Sequence, residues 1–80
     1  MSYPNVVVII PAFNEENGVG HVIREIPREF VNEVIVVNNN STDNTERIAK
    51  EAGATVLREP TPGYGRACLK GIDYLKQINP

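Results

Sequence analysis

Cysteine is almost missing from this sequence. Cys68 is the only one in 80 residues, so no disulfide can close within the chain, and no second thiolate exists to build a structural zinc site with it. That fits a reducing compartment. Cationic surplus is missing as well. Eight Lys and Arg stand against ten Asp and Glu, a net charge of -2, and the cations are scattered rather than gathered in a stripe. An electrostatic footprint for nucleic acid is therefore not expected. Long apolar runs are absent too: the first, Val6 to Ile10, is far too short to span a membrane, and no basic n-region precedes it. Histidine occurs once. His21 has no second ligand nearby and lies off the apolar stripe of its segment, so it reads as a solvated surface residue. No Ser-His-Asp, Cys-His or paired-carboxylate constellation can be assembled, and the adjacent Glu15 and Glu16 read as first-turn helix charges. Internal repeats and low-complexity segments are lacking.

What is present is ordinary for a folded protein: 41% hydrophobic and 22% charged residues, which argues against disorder. The length suits one small domain with one core, burying only ~60% of the surface its unfolded form exposes. Asn5 to Ile10 is a β-branched run without alternation, as in a strand buried on both faces of a parallel sheet. A first strand is predicted near 5–11, ending at Pro11. Val19, Val22, Ile23 and Ile26 recur at helical spacing, with candidate caps in Asn14 to Asn17 before them and Pro27 after. A second buried strand is predicted at 33–38, followed by a turn-rich polar loop. Asp43 and Glu46 have the spacing of a capping box, with Ser41 and Thr42 as rival caps. Ile48, Ala49 and Ala52 form the inner face of that helix and Gly53 sits where a C′ glycine belongs. A short third strand is predicted at 55–58. Ala67, Cys68, Ile72 and Leu75 then mark the inner face of a last helix, with Cys68 as core.

The order β-α-β-α-β-α implies parallel pairing and right-handed crossovers, an open Rossmann-like α/β sheet of order 3-2-1. Ligands of such sheets bind beyond the carboxyl ends of the strands. Three segments meet there: Pro11 to Glu15, Asn38 to Asp43 and Glu59 to Arg66. In the first, Phe13 could lie against a flat heterocycle with Asn14 and Glu15 beside it. It could equally pack on the next helix while Asn14 caps that helix. In the second, three consecutive Asn either satisfy turn geometry, since Asn tolerates left-handed backbone angles, or read the edge of a base. In the third, two glycines flank Tyr64 and Arg66 follows, which lets backbone and guanidinium approach phosphate. The dinucleotide fingerprint would need three glycines after the first strand, and that pattern is not here.

Residues 8–15, Val-Ile-Ile-Pro-Ala-Phe-Asn-Glu, are followed by Glu-Val-Ile-Val-Val-Asn-Asn-Asn-Ser-Thr-Asp-Asn-Thr at 33–45, Gly-Ala-Thr-Val at 53–56 and Gly-Tyr-Gly-Arg-Ala at 63–67. In this order and spacing they resemble the family 2 glycosyltransferases of the GT-A fold, from about Val6 to Leu75. The nearest likeness is to dolichol- or polyprenyl-phosphate sugar transferases, whose third segment often reads like Glu59 to Gly65. The resemblance implies an enzyme that takes a UDP- or GDP-linked sugar donor, with Mg²⁺ or Mn²⁺ on its diphosphate and an acceptor such as a polyprenyl phosphate. It implies a cytoplasmic location, at the membrane face for a lipid acceptor.

Carried onto this chain, Pro11, Ala12, Phe13 and Glu15 match the nucleoside pocket. Asn38 matches an acidic base-contacting position, Asn40 lies in the same motif, and Arg66 falls near a basic position on the diphosphate. The family's Asp-Asp-Gly is here Asn38-Asn39-Asn40, a departure that bears on base identity. Its DxD-type metal motif belongs to a strand after Pro80, so residues 1–80 are expected to hold part of a nucleotide without a metal site or catalytic residues. Alternatives are a non-catalytic nucleotide-binding module or a small interaction domain. With the first strand unpaired on one side, self-association through that edge is also expected.

Overall fold

In the computed structural model, which describes residues 6–78, the first β-branched run forms β1 (Val7–Ala12). There follow α1 (Val19–Glu25), β2 (Glu33–Asn38), α2 (Thr45–Glu51), β3 (Thr55–Arg58) and α3 (Tyr64–Ile78). All pairing is parallel and β2 is central, the order being β1-β2-β3. The open sheet expected from strand–helix alternation is therefore present. Asn5, at the start of the predicted first strand, lies outside the described residues. The strand also runs further than predicted, through Pro11 to Ala12. Proline is tolerated because the Ala12 carbonyl faces β2, where it accepts the Asn39 N–H at 2.8 Å. By alternation, the missing N–H of Pro11 then points to the other side of β1, which has no partner strand among the described residues.

Burial of β2 on both faces organises the core. Val34 and Val36 join Ala12, Val19, Ile23 and Ala49 under α1 and α2, while Ile35 and Val37 pack with Ala67 of α3. All four β2 aliphatics are at most 1% exposed. Gly53 takes φ +97 and closes α2 in a Schellman arrangement, its N–H on the Lys50 carbonyl and that of Ala54 on the Ala49 carbonyl.

Two helical faces differ from expectation. Val22 is 50% exposed because Val19, Gly20 and Ile23 carry the contact of the two-turn α1. Ile72 is 44% exposed: α3 turns Ala67 and Gly71 inward instead, leaving Ile72 on the flank and Cys68 half-buried. Gly71 explains this rotation. A Cβ there would lie 2.7 Å from Ile9 Cγ2 and 3.1 Å from its Cδ1, so the helix backbone rests directly on β1.

Two alanine substitutions on this one helix should act in opposite directions. Gly71→Ala overpacks against the branched Ile9 and is expected to cost about 1–3 kcal/mol despite its gain in helix propensity. Gly65→Ala meets nothing within 4 Å and should stabilise by roughly 0.5 kcal/mol. Thermal melts of the two variants beside wild type check the pair. A higher melting temperature for Gly71→Ala would contradict the close approach.

Candidate functional site

The register sets Ala12 opposite Asn38 and Asn38 opposite Arg58, so three loops emerge at one level. Polar residues lace the first two together. Asn14, with φ 51, accepts the Thr42 N–H on Oδ1 at 2.9 Å, and its own N–H donates to Ser41 Oγ at 2.9 Å. Glu15 N–H donates to Thr45 Oγ1 at 2.8 Å, Glu16 N–H to Asp43 Oδ2, and Asn44 N–H to Glu16 Oε2 at 3.0 Å.

The expected capping box is absent. The N-cap of α2 is Asn44, with no side-chain cap bond. Asp43 instead accepts the N–H and hydroxyl of Thr45, while Glu46 bonds to Asn38, Lys50 and Arg58. Burial would raise the Asp43 pKa, but the bonds from Thr45 and Glu16 outweigh it and hold the carboxyl below its ordinary value. Asn14 does not cap α1 either, whose N-cap is Gly18. Left-handed Asn14 serves loop-to-loop bonding instead.

Alternation along β2 sends Asn38 and Asn39 to opposite sides. Asn38 follows Val34 and Val36 toward α2, donating to Glu46 Oε1 at 3.2 Å and accepting the Ser41 N–H at 3.1 Å. Glu46 also receives Arg58 in a two-pronged pair, Nε at 2.8 Å and Nη2 at 2.6 Å, and Lys50 at 3.2 Å. Hydrogen bonding from Arg58 leads in holding its pKa at about 2, helped by Asn38 and Lys50 against a cost of burial. Asn39 follows Ile35 and Val37 toward α3. It is buried, and its carboxamide donates to the carbonyls of Glu59 (3.0 Å) and Thr61 (2.8 Å) and accepts the Gly63 N–H (3.0 Å).

Two adjoining recesses result. One is lined by Asn38, Asp43, Glu46, Arg47, Arg58 and Glu59 among others, a polar surface on which Glu46 pairs with Arg58, while Arg47 pairs with Glu51 of its own helix. The other, about 700 Å³, is walled by Pro11, Ala12, Phe13 and Glu15 on one side and Pro62, Gly63 and Tyr64 on the other, with Asn39 and Asn40 between. Apolar walls with a few polar groups are what a small-molecule site offers, and the second recess has them.

Of the sequence candidates, Pro11, Ala12, Phe13, Glu15 and Asn40 gather there. Asn38 lines the neighbouring recess, and Arg66, exposed on the first turn of α3, lines neither. Phe13, Asn38 and Arg66 thus do not share one cleft. Asn39 and the Glu46–Arg58 pair went unnoticed in the sequence. Counting alternate positions back from Asn39 to Ile35 would have separated its face from that of Asn38, but a strand apolar on both faces gives no polarity cue. Among the described residues, no group of three His, Cys, Asp or Glu side chains converges to hold a metal.

The Glu46 network has a pH signature. Folding lowers this carboxyl's pKa, so its stabilisation is complete above the ordinary 4.5 and is lost as pH falls through about 2. Water screening at its open side brings the contribution to about 1 kcal/mol. Glu46→Gln should be less stable than wild type by that amount at pH 7, and the gap should close between pH 4.5 and 2. Thermal melts across that range measure it; a gap independent of pH would contradict the pairing.

Comparison with known proteins agrees with this arrangement. The profile of Glycosyl transferase family 2 matches residues 7–77. An uncharacterised glycosyltransferase of Mycobacterium bovis is 43% identical over 84% of this chain and 30% of its own length. The 4,4'-diaponeurosporenoate glycosyltransferase of Staphylococcus aureus is 43% identical over 84% of this chain and 20% of its own. Among solved structures, glucosyl-3-phosphoglycerate synthase from Mycobacterium tuberculosis, in complex with Mn²⁺, UDP-glucose and phosphoglyceric acid, superposes with a TM-score of 0.80. It shares 32% identity, over 88% of this chain and 29% of that one. The chain thus spans less than a third of the length of these relatives. From its strand–helix order, its motifs and this match over nearly every described residue, the chain belongs to glycosyl transferase family 2.

Proposed function

We propose that this chain forms the donor-nucleotide-binding part of a glycosyltransferase, taking the nucleoside of a UDP- or GDP-linked sugar into the recess between Phe13 and Tyr64. The observation that carries the reading is the gathering of Pro11, Ala12, Phe13 and Glu15 against Pro62, Gly63 and Tyr64 at the carboxyl ends of three parallel strands. Phe13 is 58% and Tyr64 74% exposed, a cost in water that a stacked base would offset. Asn40, left-handed at φ 64 and exposed, carries its carboxamide at the boundary of both recesses and is the side chain best free to meet a base edge. Arg66, just past the glycine pair, is left for the diphosphate. The UDP-glucose and Mn²⁺ of the mycobacterial synthase favour a uridine donor and a divalent cation in the complete enzyme. Among the described residues no three His, Cys, Asp or Glu side chains gather to hold a metal, and the ion is assigned to none of them. A lipid phosphate as acceptor rests on the likeness of the Glu59 to Gly65 segment alone.

Calorimetric titration of the protein with UDP and GDP, each with Mn²⁺, tests the reading. UDP should bind, and Phe13→Ala should weaken it about tenfold, the loss expected for one stacked base. Val22→Ala, on the flank of α1, should leave it unchanged. Failure of wild type to bind either nucleotide would overturn the proposal, and an undiminished affinity in Phe13→Ala would move the base out of this recess.

A further inference from the structure

The third loop has little of its own to hold it. Pro60 and Pro62 have no N–H, so after Glu59 only Thr61 and Gly63 can donate from its backbone. Thr61 spends its N–H on the carboxylate of Glu59 at 2.9 Å, within the same loop. Beyond the Glu59 N–H on the Asn38 carbonyl at the strand end, every described hydrogen bond tying residues 59–63 to the sheet runs to one side chain, that of Asn39. Both of its N–H donors and its oxygen are engaged, and the residue is 7% exposed.

We propose that Asn39 is a positioning residue, a carboxamide latch that holds the Glu59–Gly63 loop in place so that Pro62, Gly63 and Tyr64 form one wall of the recess. What the recess binds rests on the donor-nucleotide reading; the latch does not. The chemistry requires an amide. An aspartate of the same shape has no donor, and sets its charge against the Glu59 and Thr61 carbonyl oxygens. It leaves two acceptors unmatched in a part-buried place, which costs more than a bond between exposed groups. With both of its N–H donors bonded to the loop, Asn39 shapes the site through that loop.

The test compares wild type with Asn39→Asp and Asn39→Ala by amide hydrogen exchange, following Gly63 for the loop and Val36 for the sheet. At pH 7 Gly63 should lose at least about tenfold of its protection in both variants, as expected for one or more part-buried hydrogen bonds, while Val36 keeps its own. In Asn39→Asp, lowering the pH to 4 should restore part of the Gly63 protection, because the protonated acid regains one donor. Glu15 and Glu59 are the titratable neighbours, and wild type, which keeps both, should show no such recovery. UDP affinity should fall about five- to tenfold in Asn39→Asp at pH 7. Unchanged Gly63 protection, or equal loss at Gly63 and Val36, would overturn the latch. Loop release with unchanged UDP affinity would overturn its positioning role. Loop release in a protein whose wild type binds no UDP would support the latch and defeat the donor-nucleotide reading instead.

Discussion

Ala12, Asn38 and Arg58 end their strands side by side, and the remaining organisation of this end of the molecule depends on that parallel register. A slip of one residue in β1 would turn its side chains to the opposite faces and carry Phe13 away from the third loop. The register is secured from within: β2 has aliphatic side chains buried on both faces, so it can move along neither neighbour without opening the core. Hydrophobic burial in the middle of the sheet thereby fixes polar geometry at its end.

That polar geometry is expensive unless each group finds a partner. Among the described residues, no buried side-chain nitrogen or oxygen lacks one. Buried Thr45 shows how: its hydroxyl takes the Glu15 N–H and gives its own proton to Asp43. Neither N-cap residue makes a side-chain cap bond, and Asn14, Ser41, Thr45 and Asp43 bridge separate loops, Asp43 while also taking the Thr45 N–H at the start of α2. The same side chains make a long-range connection, which joins the β1 loop to the β2 loop across some thirty residues of sequence.

Strand–helix order, strand limits within two residues and the C′ role of Gly53 were readable because each is a local property of spacing and composition. Pro11, Ala12, Phe13, Glu15 and Asn40 could be placed at one rim for the same reason, since the rim follows from topology. Side-chain direction could not. Asn38 and Asn39 look alike in a run of three, and which one faces α2 depends on the pleat of a strand with no polar side. The Asp43–Glu46 spacing pointed to a cap, but Arg58, twelve residues on, competes for Glu46 with two charged hydrogen bonds. Glycine was the other blind spot: Gly71 carries no hydrophobic signal, yet it decides which face of α3 meets the sheet.

The direct seating of Gly71 on Ile9 has a mechanical side. Among the described residues α3 is the single helix on its face of the sheet, and Tyr64 stands at its first position, seven residues or about 10 Å of helix axis from that seat. The helix is in effect a lever whose fulcrum is a glycine and whose N-terminal arm ends in an aromatic ring. A tilt of only 5° about the fulcrum displaces Tyr64 by about 1 Å, a distance that matters to a stacked ring and little to the aliphatic core beneath. The width of the recess is thus set as much by the absence of one methyl group two turns along the same helix as by the residues that line it.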